Sequence, residues 1–366
     1  MVERFPPPEQ QKPPLGTGNT LFRLAGIGVL VVTAAVSLAY VGGYLDPHRL
    51  TPARLVDGLE HNNGVHPGFR RNHSKGVCVA GYFESNGNAA PFSSAEVFSP
   101  TRTPVEGRFA LPTGNPYSPD SAVPLRSMAL RFTQANGQQW RTGMNAMPVF
   151  PVSTPEAFYE LMQAQAPDPA TGKPDPAKPA AFFASHPESA AFLAWVKTAK
   201  PSASYATETY TSVNAFYLIN AGGERQAVRW KMVPVDQPTV ASPPPDAKDY
   251  LEPDLDGRLA SGPLRWDLMI TLAEPGDPVS DASKQWPGER RVVNAGTLVI
   301  DSTQPQVDGD CRDINFDPLV LPAGIAGSED PLLAARSAAY AASYQRRTGE
   351  VDQLPKTTAP VSEKKS

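Results

Sequence analysis

The sequence predicts an α+β fold, an antiparallel β-barrel with surrounding helices, preceded by one transmembrane helix. Three observations predict it. Strand-like runs follow one another in hairpin pairs. Helical patterns are few. A run of 22 residues without a charged side chain stands near the N-terminus.

That run is LAGIGVLVVTAAVSLAYVGGYL, Leu24 to Leu45. As a helix it rises roughly 33 Å at 1.5 Å per residue, enough to cross a hydrocarbon core of about 30 Å. Tyr40 and Tyr44 fall where an interfacial aromatic belt lies. A cleaved signal peptide is the competing reading. Against it, the run exceeds a usual apolar h-region and no clean A-x-A site follows. Arginines and lysines flank both ends, so they do not set the orientation. A single N-terminal span ahead of a whole domain favours export of that domain.

The expected organisation has five parts. Residues 1–22 form a Pro-rich disordered segment, 23–45 the anchor, and 46–60 a linker or short helix. Residues 61–348 form one folded domain, and 349–366 a disordered tail. The 41 prolines, about twice the average usage, call for long extended connections. Within the domain, GVCVAGYFE, VEGRFAL, LRWDLMITLA and AGTLVID read as strands. SMALRFTQANGQQWRTGMNAM carries Asn136-Gly137 between two runs, a strong hairpin signal. TYTSVNAFYLINAGGERQAVRWKMVPV is a second hairpin, turning at Ala221-Gly222-Gly223. Serial hairpins in this number favour a closed barrel. Helices are expected in STPEAFYELMQAQ, with Ser153 or Thr154 as cap, in HPESAAFLAWVKTA, and in SEDPLLAARSAAYAASYQRR, with Ser328 as cap. The proline-rich stretches between them read as surface loops.

Composition excludes several functions. With 33 Lys+Arg against 37 Asp+Glu there is no electrostatic footprint for nucleic acid. The five histidines, His48, His61, His66, His73 and His186, have no metal-binding spacing. There is no Gly-x-Ser-x-Gly, phosphate-binding loop or dinucleotide fingerprint. The two cysteines, Cys78 and Cys311, leave a single disulfide open without implying it. One pair stands out locally. Arg336 and Tyr340 are four apart in RSAAY and share a helical face. A guanidinium beside a phenol favours the phenolate, a good ligand for ferric iron. The alanines around Tyr340 would let a flat macrocycle lie close. An alanine-rich amphipathic helix with a snorkelling arginine explains the same residues.

A resemblance links these signals. FRRNHSKGVCVAGYFE is similar to the distal-histidine segment of the haem catalases, and RSAAY to their proximal Arg-x-x-x-Tyr. GMNAMPVF, LINAGGE, DASKQWP and INFDPLVLPAGI resemble further catalase motifs in the same order, over residues 60–348. The chain most resembles the catalase-related peroxidases, a short bacterial branch with an N-terminal hydrophobic segment.

The resemblance implies the barrel of the haem catalase type and a haem b cofactor with ferric iron. Tyr340 would be the axial ligand, with Arg336 beside it. Arg70, Arg108 and Arg347 would pair with the haem propionates, and Phe158 would pack on the haem face. His73 would be the acid–base residue and Asn145 would hydrogen-bond the peroxide. It implies a peroxidase that reduces organic hydroperoxides and hydrogen peroxide through a ferryl state and oxidises an organic donor. A true catalase, a hydroperoxide isomerase and a membrane-anchored haem- or lipid-binding barrel are the alternatives. The bilayer is the expected partner of the N-terminal helix, in a bacterial inner membrane with the domain on the periplasmic side. Three positions depart from the catalase pattern: Asn72 before the histidine, Ala110 after Arg108-Phe109, and Pro151 after Phe150 at the expected substrate channel.

Overall fold

The structure is a computed structural model that describes residues 17–42, 44, 46, 49–236 and 247–351. The expected Pro-rich segment up to residue 16, the SPPP loop and the tail from residue 352 lie outside the described residues. The chain divides into two units, Met1–Thr51 and Pro52–Ser366.

The first unit contains α1 (Thr17–Val41), whose Thr20–Val41 stretch is long and apolar enough to span a membrane and is not buried by protein. It begins before the boundary expected at residue 23.

The second unit is built on ten strands. These are β1 (Gly76–Ser85), β2 (Arg102–Ala110), β3 (Ser127–Thr133), β4 (Gln139–Asn145), β5 (Tyr210–Thr211), β6 (Phe216–Ile219), β7 (Arg225–Pro234), β8 (Leu264–Leu272), β9 (Val292–Pro305) and β10 (Ile325–Gly327). The sheet runs β10-β6-β7-β5-β4-β3-β2-β1-β9-β8, and β7 also pairs with β8. That last pairing closes an antiparallel barrel of eight strands, and β6 and β10 extend it outside the ring. Closure removes the edges that an open sheet would expose.

Strand chemistry explains the barrel. On β3, Met128, Leu130 and Phe132 are buried, whereas Ala129 and Arg131 alternate with them. The interior is aromatic. Phe109 stacks on Tyr205 at 5.1 Å, Phe132 on Trp140 at 4.6 Å, and Phe216 on Trp230 at 4.2 Å. Gly137 supplies the positive φ of 81° that the β3–β4 turn needs. In the β6–β7 turn, Asn220 Oδ1 accepts from Gly222 and Glu224 N–H, and Gly223 takes φ 82°.

Among the described residues six helices belong to this unit: α2 (Pro52–Asn63), α3 (Pro155–Ala164), α4 (Ala177–Ser185), α5 (Ala190–Val196), α6 (Leu251–Leu259) and α7 (Pro331–Val351). Three details add to or differ from the sequence expectations. First, α4 and α6 lie in stretches expected to be loops. Pro176 precedes the first residue of α4 and Pro253 sits in the first turn of α6, positions where proline starts a helix instead of breaking one. Second, α7 is capped by Asp330, whose Oδ1 accepts from Leu332 N–H at 2.9 Å; Ser328 Oγ instead accepts from Asp330 N–H. Third, the segment 46–60 contributes α2, which packs on α3 and α7.

Candidate active site

A cavity of about 190 Å³ lies between the outer face of β2–β4, the loop before β1, α2, α3 and α7. Helix α7 presents one face to it: Leu332, Arg336, Tyr340, Ser343 and Arg347 recur at the helical period. Small residues form its walls, Ala335 and Ala339 from α7 and Ala129 and Gly143 from the barrel. Gly143 lets both α7 side chains approach the barrel closely. A Cβ on it would stand 3.2 Å from Arg336 Nη2 and 3.3 Å from Tyr340 Oη.

All eight residues singled out in the sequence, Arg70, His73, Arg108, Asn145, Phe158, Arg336, Tyr340 and Arg347, line this one cavity. Of the other expected positions, Asn72, Ala110 and Phe150 also line it. Pro151 does not. It is buried beside Phe150, and its carbonyl accepts from Ser189 Oγ at 2.6 Å. A substrate in the cavity therefore meets the methyl of Ala110, but not Pro151.

Arg336 is held from two sides. Its Nη2 donates to Gly143 O at 3.0 Å and its Nη1 to Asn214 Oδ1. Asn214 Nδ2 in turn donates to Asp330 Oδ2 at 2.8 Å. Asn214 follows Val213, a β-branched residue at φ 62°. Such a conformation costs on the order of 1–3 kcal/mol and persists where the surroundings fix it. The sequence reading missed Asn214, because nothing in YTSVNAF marks a left-handed residue.

His73 is itself left-handed, at φ 54°. Its N–H donates to Asn72 Oδ1 at 2.8 Å, and its carbonyl accepts from Arg108 Nη1 at 2.6 Å. Both flanks are tied down. Ser74 N–H and Oγ donate to Thr113 O, each at 2.8 Å. Arg71 points away from the cavity and bridges Glu60 of α2 and Glu350 of α7. The imidazole is enclosed in depth yet open to the cavity. Burial, reinforced by Arg108, Arg336 and Arg70, pushes its pKa down to about 3, so the ring is neutral at ordinary pH. Its Nδ1 is buried without a partner among the described residues.

Asn145 Oδ1 accepts from Ser127 Oγ at 2.6 Å, which turns its Nδ2 protons elsewhere. Phe158 meets Phe150 at 5.3 Å between ring centres.

Arg70, Arg108 and Arg347 gather at one end. Arg70 Nη2 donates to the carbonyls of Cys311, Arg312 and Ile314 at 3.0, 3.2 and 2.9 Å. Arg347 Nη1 donates to Arg312 O at 2.6 Å. Among the described residues neither Arg70 nor Arg108 has a carboxylate ion pair; Arg347 reaches Asp313 at 3.4 Å. Burial holds Arg70 well below the usual guanidinium range, and the charges of Arg108 and Arg347 push the same way. Burial brings Arg108 down to about 10.

The carbonyls that receive Arg70 belong to a loop closed by a disulfide between Cys78 and Cys311, with a Cα–Cα distance of 5.4 Å. The sequence had left this bond open. Gly309 makes room for it, since a Cβ there would stand 2.7 Å from Cys78 Sγ.

Comparison with known proteins shows the family. The family profile described as Catalase matches residues 43–365. The chain is 38% identical over 333 residues to a catalase-related peroxidase of Synechococcus elongatus, covering 90% of this chain and 98% of the relative. It is 33% identical to a catalase-related peroxidase of Mycolicibacterium paratuberculosis, covering 82% and 96% respectively. A fungal catalase of known structure matches with a TM-score of 0.70 at 22% identity, over 81% of this chain and 62% of its own. Catalase A from Saccharomyces cerevisiae matches with a TM-score of 0.70 at 22% identity, over 80% and 64%. The chain thus spans slightly under two thirds of those solved catalases, and the likeness to them is one of fold. The chain belongs to the catalase family, and by that membership it is an oxidoreductase of the haem peroxidase type.

Proposed function

We propose that this protein is a membrane-anchored haem peroxidase that reduces organic hydroperoxides, and hydrogen peroxide, while oxidising an organic donor. One observation carries the reading. A phenol with a guanidinium one helical turn away, a neutral imidazole, an amide donor and three arginines, two of them without a carboxylate partner among the described residues, all line one cavity.

The residues fit haem b. Small walls on α7 and β3–β4 leave a slot for a flat ring, and a side chain at Gly143 would obstruct it. Arg70, Arg108 and Arg347 would bind the two propionates through planar guanidinium forks. Tyr340 Oη would hold the ferric iron, with the Arg336 guanidinium, fixed by Asn214 and Gly143, one helical turn away. Phe158 would pack on the macrocycle. When bound, haem supplies the redox chemistry of peroxide cleavage.

The chain's own residues do the rest. His73, neutral at physiological pH, takes a proton from the bound hydroperoxide at its cavity-facing nitrogen and returns it to the departing oxygen. Asn145 donates from Nδ2 to the peroxide and orients it. Leu55 and Leu59 of α2, with Phe150 and Phe158, give the cavity an apolar wall suited to an organic group.

The spanning-length helix α1 supports a single-pass anchor, and the disulfide supports an oxidising compartment. Together they favour a bacterial inner-membrane protein with its domain in the periplasm. The test is a matched assay of purified, haem-loaded protein: oxygen release from hydrogen peroxide against donor oxidation with an organic hydroperoxide. Donor oxidation should dominate. Rapid oxygen release with no donor oxidised would make this an anchored catalase.

A further inference from the structure

Asn72 stands between two fixed residues. Arg71 is clamped between Glu60 and Glu350, and its N–H donates to Ser343 Oγ at 3.3 Å. His73 is pinned through its carbonyl by Arg108. The backbone at 72 therefore has little freedom, and the His73 N–H donates to Asn72 Oδ1 at 2.8 Å. A backbone N–H accepts nothing, so this bond decides which way the amide points. The oxygen is taken by the His73 N–H, which leaves the Nδ2 protons for a different partner. Asn72 lines the cavity, and its Nδ2 has no acceptor among the described residues.

Asn145 is arranged in the same manner, with Oδ1 occupied by Ser127 and Nδ2 free. The cavity thus holds two amides, each with its acceptor side used and its donor side open. An apolar residue at 72 would lose both halves of this arrangement, the partner of the His73 N–H and the donor.

We propose that Asn72 is a second amide donor to the bound peroxide, acting with Asn145 on the oxygens between which His73 moves its proton. The role rests on the peroxidase reading above. Charge grows on the departing oxygen as the O–O bond breaks. Donors already oriented toward that oxygen stabilise it without reorganisation.

The experiment compares Asn72→Asp with Asn72→Val in the full-length, haem-loaded protein. Aspartate keeps an oxygen for the His73 N–H and replaces the donor by a second, charged oxygen, which the neutral hydroperoxide controls for; valine removes both acceptor and donor. Three quantities are measured: fluoride affinity by haem absorbance, kcat/KM for a neutral organic hydroperoxide, and Tm. Loss of one hydrogen bond to the ligand corresponds to about a three- to tenfold effect. Asn72→Asp should show that loss in both fluoride affinity and kcat/KM while keeping the wild-type Tm and haem content. Asn72→Val should show the same losses with a lower Tm. Wild-type values in Asn72→Asp, with losses confined to Asn72→Val, would reduce Asn72 to a support for His73 and overturn the proposal. A drop in fluoride affinity alone would be the work of the new negative charge and would also overturn it. Failure of the wild-type protein to load haem or bind fluoride would instead remove the peroxidase reading, and this role with it.

Discussion

Cys78 on β1 is bonded to Cys311, 233 residues later, and Tyr340 packs against the cluster these two form with Ile314 and Phe316. The carbonyls of Cys311, Arg312 and Ile314 in the same loop hold Arg70, and Arg312 O also holds Arg347. One covalent link thus steadies the loop behind the tyrosine and beneath two arginines.

Reduction of that link should therefore cost stability and cofactor together. Removing a native disulfide typically costs roughly 2–5 kcal/mol, and a loop this long belongs at the upper end in the chain-entropy picture. Cys78→Ala with Cys311→Ala should lower Tm by several degrees and speed haem transfer to an acceptor protein. An unchanged haem-transfer rate would show that the loop holds its shape without the bond.

The acid side of the stability profile should report on His73. Its pKa falls from 6.5 in the unfolded chain to about 3 in the folded protein, chiefly through burial. Above 6.5 neither state carries the proton. As pH falls below 6.5, the unfolded chain binds a proton that the folded protein excludes, and stability declines by up to about 1.4 kcal/mol per pH unit. Between pH 6.5 and 5 the haem-free wild type should lose about 2 kcal/mol more than His73→Gln. Parallel unfolding curves at the two pH values would count against a buried neutral imidazole.

Ala110 should influence the balance between the two peroxide reactions, and Pro151 should not. Ala110 lines the cavity that also contains His73, whose Nδ1 lacks a partner; Pro151 does not line it. Ala110→Ser should raise oxygen release relative to donor oxidation at matched haem content. Pro151→Phe should disturb packing near Ser189 and leave the ratio alone. The opposite pattern would place the determinant in a channel outside this cavity.

The fold and the cavity were legible to different depths. Periodic strands and the Asn136-Gly137 turn wrote the barrel into local sequence, and the Arg336–Tyr340 spacing wrote one face of α7. The misses share a cause. Asn214, Ser127 and the Cys78–Cys311 bond act through contacts between distant segments, which no local pattern encodes. Helices α4 and α6 were hidden because proline marks a helix start and a loop alike. Pro151 was assigned to the channel by its neighbour Phe150; Phe150 lines the cavity and Pro151 does not.

The folded unit should not depend on the anchor, but should depend on α2. Removing residues 1–45 should give a detergent-free, haem-binding protein, since the second unit begins at Pro52. Removing α2 as well takes Leu55 and Leu59 from the cavity wall and leaves Arg346 without Asp57, at 2.7 Å, and Glu60, at 2.8 Å. That shorter protein should bind haem poorly or aggregate. Equal haem content in both truncations would separate α2 from the site.

The assignment of Tyr340 is tested most directly by the absorbance spectrum of purified Tyr340→Ala, expressed with ample haem beside wild type and Tyr344→Ala. Tyr344 lies one turn further along α7 and lines the same cavity, so it is the natural competitor. The Soret band should be lost or much reduced in Tyr340→Ala and retained in Tyr344→Ala. A full, unshifted band in Tyr340→Ala, with loss in Tyr344→Ala, would contradict the account.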